Sequence, residues 1–113
     1  MEKDSSKEDI NESREKSIHE MQMIEQSLQN IFLQKQAFEM ELRESQAALK
    51  ELEKSGDEVF KIVGQLLIKT EKEKVKEELK NKEKIIELRI KSFEKQESSL
   101  SKQFEELRGQ FSK

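Results

Sequence analysis

The chain has 113 residues, of which 42% are charged and only 32% are hydrophobic, and it contains no cysteine or proline. A globular domain of this length needs a larger apolar fraction for its core, and without cysteine neither disulfides nor thiolate metal sites can form. The formal net charge of -3 comes from 22 basic and 25 acidic side chains. These charges are interspersed along the sequence and form no basic stripe. Nucleic acid is therefore disfavoured as a partner.

The N-terminal segment is polar and does not resemble a targeting sequence. Between Met1 and Ser17 the single strong hydrophobe is Ile10, which does not make the apolar region of a signal peptide. No apolar run in the chain approaches the length that spans a bilayer. We therefore expect a cytoplasmic protein with no membrane partner.

The first predicted element is a helix from about Ser6 to Lys54. Apolar residues recur at alternating steps of three and four, which is the heptad pattern of a coiled coil. Two polar residues interrupt this seam, and before Met21 the pattern weakens. The seam consists of Met21, Ile24, Leu28, Ile31, Lys35, Phe38, Leu42, Ser45, Leu49 and Leu52.

A β-hairpin is predicted at about residues 58–70, immediately after the Ser-Gly-Asp stop signal of residues 55–57. The apolar run "VFKIVGQLLIK" favours two strands, at about Glu58–Val63 and Leu66–Thr70. Gly64 lies at the first central position of the turn, where a type II′ hairpin requires positive φ. We therefore predict a two-residue type II′ turn.

A second helix is predicted from about Glu71 to Gln110, with Thr70 as its N-cap. Its heptad seam is Leu79, Glu83, Ile86, Ile90, Phe93, Glu97, Leu100, Phe104, Leu107 and Phe111. Because the hairpin reverses the chain, the two seams are expected to face each other, with Phe38 near Ile90. The fold class is therefore mainly α: one domain, 1–113, in which a long antiparallel two-helix coiled coil is joined by a central β-hairpin.

The predicted hairpin is apolar on both faces, and an isolated two-stranded ribbon is marginal in water. Two helices offer no third layer to cover it, so the cover must come from other copies or other chains. We therefore predict an oligomeric β-barrel platform built from shared strands. Its interface residues are expected to be Val59, Phe60, Ile62, Val63, Leu66, Leu67 and Ile68.

A second apolar group lies where the two chain ends are expected to meet. Ile18 and Met23 lie outside the seam and should face solvent or a partner, and methionine adapts to many shapes. One interpretation is a low-specificity surface for exposed apolar segments of other proteins; the other is that these residues simply close the end of the coiled coil. The group consists of Ile18, Met21, Met23, Ile24, Leu28, Leu100, Phe104, Leu107 and Phe111.

Catalytic apparatus is not visible in the sequence. His19-Glu20 begins like a zinc-protease helix motif, but Met23 stands where the second histidine would be. The carboxylates around residues 71–78 are interspersed with lysine, which is typical of a solvated face. We expect no enzyme activity, no cofactor and no metal site.

The chain resembles the beta class of prefoldin, in particular its archaeal members. The resemblance rests on "VFKIVGQLLIKTEKEKVKEELKNKEKIIELRI" and "FEKQESSL", and it covers roughly Gln22 to Phe111. Beta-class chains carry one hairpin, as here, whereas alpha-class chains carry two. The polar extension of residues 1–17 is longer than the family pattern.

This resemblance implies an ATP-independent chaperone, a hexamer of two alpha-class and four beta-class subunits. Their hairpins form a double β-barrel platform, here Val59 to Ile68, and the coiled-coil tips hold unfolded proteins for delivery to a group II chaperonin. The alternative is a structural coiled-coil spacer or oligomerisation module that binds no client.

Overall fold

The computed structural model describes the backbone of residues 2–111 and the side chains of residues 7–111. Helix α1 spans Glu2–Lys54, strand β1 spans Glu58–Val63, strand β2 spans Leu66–Glu71, and helix α2 spans Lys72–Phe111. The predicted class, two long helices joined by a central hairpin, is confirmed. Neither helix, over the part that the structure describes, has a stretch long and apolar enough to cross a membrane.

The two strands form an antiparallel ladder that is closed by a two-residue turn. Val63 pairs with Leu66, and the register continues outward to the pair Glu58 and Glu71. Gly64 has a φ of 61°, whereas no other type of residue in the described chain has a positive φ. A type I′ turn would require positive φ at Gln65 as well, so the predicted type II′ turn is confirmed.

The end of α1 is held by the first residue of α2. The Ser55 amide and hydroxyl both donate to the Leu52 carbonyl, at 3.1 and 2.7 Å. The Lys72 ammonium donates to the carbonyls of Glu53 and Ser55, at 3.2 and 3.1 Å. A cation at a helix C-terminus also interacts favourably with the helix dipole. The two helices therefore meet at the base of the hairpin.

The prediction that Thr70 caps α2 is wrong. Thr70 lies inside β2, where it pairs with Val59, and the helix begins two residues later. The amide of Lys72 donates to the Asp57 carbonyl at 3.0 Å, on the far side of the hairpin base. Strand β2 thus continues past Thr70, because the backbone groups at its end are hydrogen-bonded across the hairpin.

The chain divides into two compact units, and the unit of residues 35–92 contains the hairpin. All the seam residues predicted within it are buried or half-buried, and Ile86 is the most deeply buried of them. Phe38 and Glu41 of α1 line one groove together with Ile86 and Arg89 of α2. The two helices therefore run side by side in this unit.

The second unit contains the residues up to Gln34 and those from Phe93 onward. Ile24 and Ile31 are buried in it, and the other predicted seam residues are half-buried except Phe111, which is exposed. Ser13 and Ser17 of α1 line a small groove with Gln110 and Phe111 of α2. Both helices thus contribute to this unit as the heptad pattern predicts.

A polar layer interrupts the seam of the hairpin-containing unit. Ser45 of the first seam is only 4% exposed, and Glu83 of the second seam is half-buried. The predicted heptad register, with Phe38 near Ile90, places these two residues at the same level. The Glu83 Oε1 atom is shielded from solvent and has no hydrogen-bond partner among the described residues. A buried oxygen without a hydrogen-bond partner costs roughly 1–3 kcal/mol of stability. The polar layer therefore weakens the seam.

We expect Glu83→Leu to stabilise the chain by about 1–3 kcal/mol, because it removes the unpaired oxygen and adds apolar burial. Guanidinium unfolding followed by circular dichroism measures the change. Glu87→Leu is the matched control, since Glu87 lies one turn further along α2 and is exposed. If the guanidinium midpoint of the Glu83→Leu variant is at or below that of the unmodified chain, the account of the polar layer is contradicted.

Candidate functional site

The ladder register divides the hairpin into two faces. Directly paired residues share a face, and successive residues alternate between faces. The helix-side face consists of Val59, Lys61, Val63, Leu66, Ile68 and Thr70, and the outer face consists of Glu58, Phe60, Ile62, Leu67, Lys69 and Glu71. The seven predicted interface residues are thus distributed over both faces.

The hairpin is largely uncovered by the rest of the described chain. Of the seven predicted interface residues, Val59 is half-buried and the other six are exposed. Ile62, at 74%, is the most exposed large hydrophobic side chain of the part that the structure describes. Apolar side chains at this density on a two-stranded ribbon form a patch of the kind that marks an interaction site.

An ion pair connects the helix-side face to α2. The Lys61 ammonium donates a 2.6 Å hydrogen bond to Oε2 of Glu78, in the second turn of the helix. This hydrogen bond holds the pKa of the Glu78 carboxyl below its ordinary value, and the positive charge of Lys61 acts in the same direction. Both side chains are partly exposed, so the contact orients the hairpin more than it stabilises the fold.

The outer face carries an ion pair of its own, between its base and its middle. Lys69 Nζ lies 3.1 Å from Oε1 of Glu58 on the neighbouring strand. Lys69 pairs directly with Phe60, and Glu58 pairs with Glu71, so three of the six residues of this face are charged. The apolar part of the outer face therefore consists of Phe60, Ile62 and Leu67, with charged residues beside Phe60 and at the base.

The apolar group at the chain ends, which we call the terminal cluster, lies within one compact unit. Its nine members are Ile18, Met21, Met23, Ile24, Leu28, Leu100, Phe104, Leu107 and Phe111. Ile24 is buried, and the other seam members before Phe111 are half-buried. Ile18, Met23 and Phe111 are exposed, at 46%, 53% and 39%. These three are accessible to a partner without any opening of the seam.

Other exposed apolar residues escaped the sequence interpretation. Ile10, Phe32 and Leu33 belong to the same unit as the terminal cluster, and each is about half exposed or more. Phe32 and Leu33 directly follow Ile31 and so lie outside the two seam positions of the heptad. An apolar residue outside the seam positions signals such exposure, and Phe32 and Leu33 carry that signal in the sequence as Ile18 and Met23 do.

The described residues offer no metal-binding group of three or more histidine, cysteine or acidic side chains. His19 is exposed and lines a shallow, largely acidic surface of α1 together with Glu12, Glu15, Lys16 and Glu20. This surface lies on a single helix and has no enclosing second element. The arrangement is typical of a solvated helix face.

Comparison with known proteins identifies the family. A family model described as "Prefoldin subunit" matches residues 15–113. The chain belongs to the prefoldin family. Prefoldin subunit beta of Thermococcus onnurineus is 42% identical over 85 residues, covering 74% of this chain and 73% of that one. Prefoldin subunit beta of Methanosarcina acetivorans is 39% identical over 95 residues, covering 82% and 81%.

A solved structure agrees with this assignment. The crystal structure of the prefoldin beta subunit from Thermococcus strain KS-1 superposes with a TM-score of 0.82 at 36% identity, covering 87% of this chain and 88% of that one. The predicted resemblance to archaeal beta-class prefoldin is therefore confirmed. The family match begins at Glu15, so most of the polar extension of residues 1–17 lies outside it.

Proposed function

We propose that this chain is a cytoplasmic beta-class subunit of an ATP-independent holding chaperone. In this proposal it assembles through its hairpin with alpha-class subunits and further beta copies, two alpha and four beta in all. The terminal cluster holds unfolded proteins, which then pass to a group II chaperonin. The assembly, its stoichiometry and these partners follow the prefoldin pattern, and no catalytic step is required.

The exposed hairpin is the observation that carries the assembly part of the proposal. Six of its seven apolar side chains are exposed in the chain by itself, and both strands have an unpaired edge. Unpaired edges of this kind favour pairing with other strands. Burying the seven side chains at about 1.5–3 kcal/mol each gives on the order of 10 kcal/mol before association costs. That is sufficient to hold a stable oligomer.

The terminal cluster supports the client-binding part of the proposal. Ile18, Met23 and Phe111 are exposed on a unit whose other surface residues are mainly polar or charged. The flexible thioether of Met23 adapts to irregular apolar surfaces, which suits clients without a common sequence. Phe32 and Leu33 extend the apolar surface available in the same unit.

We expect the complex of this chain with the alpha-class subunit of its own organism to suppress aggregation without nucleotide. Light scattering measures the aggregation of two unrelated proteins diluted from guanidinium, with an inert protein at equal mass as the control. Near-complete suppression at about one complex per client molecule is the expected result, because each complex presents several apolar clusters. An intact complex that suppresses neither protein would favour the spacer function instead.

A further inference from the structure

Residues 26–34 of α1, "QSLQNIFLQ", form the longest stretch of the chain without a charged side chain. Leu28 and Ile31 are the seam members of this stretch, and all its other residues are exposed. Phe32 and Leu33, both outside the seam, are 48% and 56% exposed. Since 42% of the chain is charged, this part of the helix surface differs from the rest. We call it the neutral band.

The polar side chains of the neutral band are amides and one hydroxyl. Gln29 lies three residues before Phe32 and four before Leu33, so it neighbours both on the helix surface. Asn30, three residues before Leu33, is a second amide neighbour. An amide side chain has donors and an acceptor, so it can bind either the N–H or the C=O of another backbone. The band therefore offers apolar contacts beside hydrogen-bonding groups of both kinds.

This combination matches the chemistry of an unfolded polypeptide. Such a chain exposes apolar side chains together with backbone N–H and C=O groups that are not paired in secondary structure. Nucleic acid or an anionic membrane surface would require basic side chains, and the band has none. A further coiled-coil helix would require apolar steps of three and four, whereas Phe32 and Leu33 are adjacent. The occupant that fits the band is therefore an extended, apolar polypeptide segment.

The exposed apolar residues of the unit that contains the hairpin have different surroundings. Met40 stands between Glu39 and Glu41, and Leu88 directly follows Glu87. Single apolar side chains among charges are ordinary on protein surfaces and mark no site. The neutral band is distinguished from them by two adjacent apolar residues and by the absence of charge.

The neutral band lies at a fixed distance from the terminal cluster on the same helix. Ser17 continues the seam of α1 one step before Met21 and is half-buried. Ile18 follows Ser17 as Phe32 follows Ile31, and the two are 14 residues, or two heptads, apart. They therefore lie on the same side of α1, about 21 Å apart at 1.5 Å per residue. About six residues of extended polypeptide span this distance.

We propose that the neutral band is a second client contact, so that one copy of the chain holds an unfolded polypeptide at two points, around Ile18 and around Phe32. The client class that follows is a polypeptide with two apolar clusters separated by at least about six residues. Two clusters that lie closer together engage only one of the points. This inference rests on the proposed function and adds to it the spacing that a client needs.

Two fluorescent peptides of identical composition test the spacing with the intact complex of this chain and its alpha-class partner. Each contains two Phe-Leu pairs in a Gly-Ser chain. The pairs are adjacent in one peptide and separated by about ten residues in the other, a flexible spacer whose mean length approaches the span. Fluorescence anisotropy gives the Kd of each peptide. We expect the spaced peptide to bind at least about 5-fold more tightly, because its second pair binds intramolecularly once the first is held.

A chain carrying Phe32→Ser and Leu33→Ser removes the apolar contacts of the neutral band and leaves the seams intact. With this variant the two peptides should bind equally, within about twofold, because only one point remains. Met40→Ser with Leu88→Ser is the control, since it removes two exposed apolar side chains from the other unit. The control should keep the preference for the spaced peptide. Circular dichroism and size-exclusion chromatography verify the helices and the mass of each complex.

Equal binding of both peptides to the unmodified complex would overturn the second contact and leave the proposed function in place. A preference that survives Phe32→Ser and Leu33→Ser would also overturn it, because the spaced peptide would then bridge other sites. Dissociation of the complex by these two substitutions would assign the band to a subunit contact and overturn the inference. If the unmodified complex binds neither peptide, the proposed function itself fails.

Discussion

A chain carrying both Ile62→Lys and Leu67→Lys is expected to sediment as a monomer or dimer in the presence of its alpha-class partner. The two residues pair directly across the hairpin, so the variant places two ammonium groups side by side on the outer face. Burying an unpaired charge costs several kcal/mol, which offsets much of the apolar gain from assembly. Sedimentation velocity of the mixture measures the loss of the large complex.

Gln65→Lys is the control for this prediction, since it adds a positive charge at the turn, beyond the strand pairs. This variant should assemble like the unmodified chain. The helices of the double variant should remain folded, because its substitutions lie outside the helical seams. A large complex that persists with both lysines in place would show that subunits associate through some other surface.

Replacing Ile18, Met23 and Phe111 together with serine is expected to remove most of the aggregation suppression while the complex keeps its mass. These are the exposed members of the terminal cluster, and their apolar surface is what an unfolded client would contact. Loss of three such contacts from each beta subunit should weaken holding at least about 10-fold through multivalency. Light scattering of diluted clients measures the effect.

The control variant removes three large exposed apolar side chains from another part of the chain. Met40, Ile85 and Leu88 are exposed to a similar or greater degree, but they belong to the unit that contains the hairpin. Their triple serine variant should suppress aggregation as the unmodified complex does. Equal loss in both variants would mean that clients bind apolar surface without regard to position.

A double truncation distinguishes holding from assembly within the terminal cluster. Removing residues 1–28 and 100–113 should abolish suppression and leave the oligomer intact, because the hairpin and its supporting seam lie within residues 35–92. If the truncated chain instead fails to assemble, the terminal cluster is an assembly contact, and the proposed chaperone mechanism has no client site.

The heptad pattern predicted the helical seams well because burial in a two-helix coil depends mainly on local periodicity. Of the predicted seam positions within the described residues, Phe111 alone is exposed. The hairpin turn was equally predictable, since Gly64 is the one residue of the loop that tolerates positive φ without strain. These features depend on short stretches of sequence and on little else.

Features that depend on contacts between distant residues were not predictable in the same way. Thr70 is a favourable N-cap residue, but pairing across the hairpin extends β2 past it. The apolar run is continuous on both hairpin faces, so periodicity could not tell the outer face from the helix-side face. The Lys61–Glu78 contact makes that distinction, and it joins residues 17 positions apart.

The mass of the complex formed with the alpha-class subunit tests the central claim most directly. Native mass spectrometry and sedimentation equilibrium, at micromolar concentrations of both chains, give the number of copies of the 13.4 kDa chain. The account predicts a single hexamer with four copies of this chain and two alpha-class subunits. A monomer that stays folded and does not associate with its partner at these concentrations would contradict it.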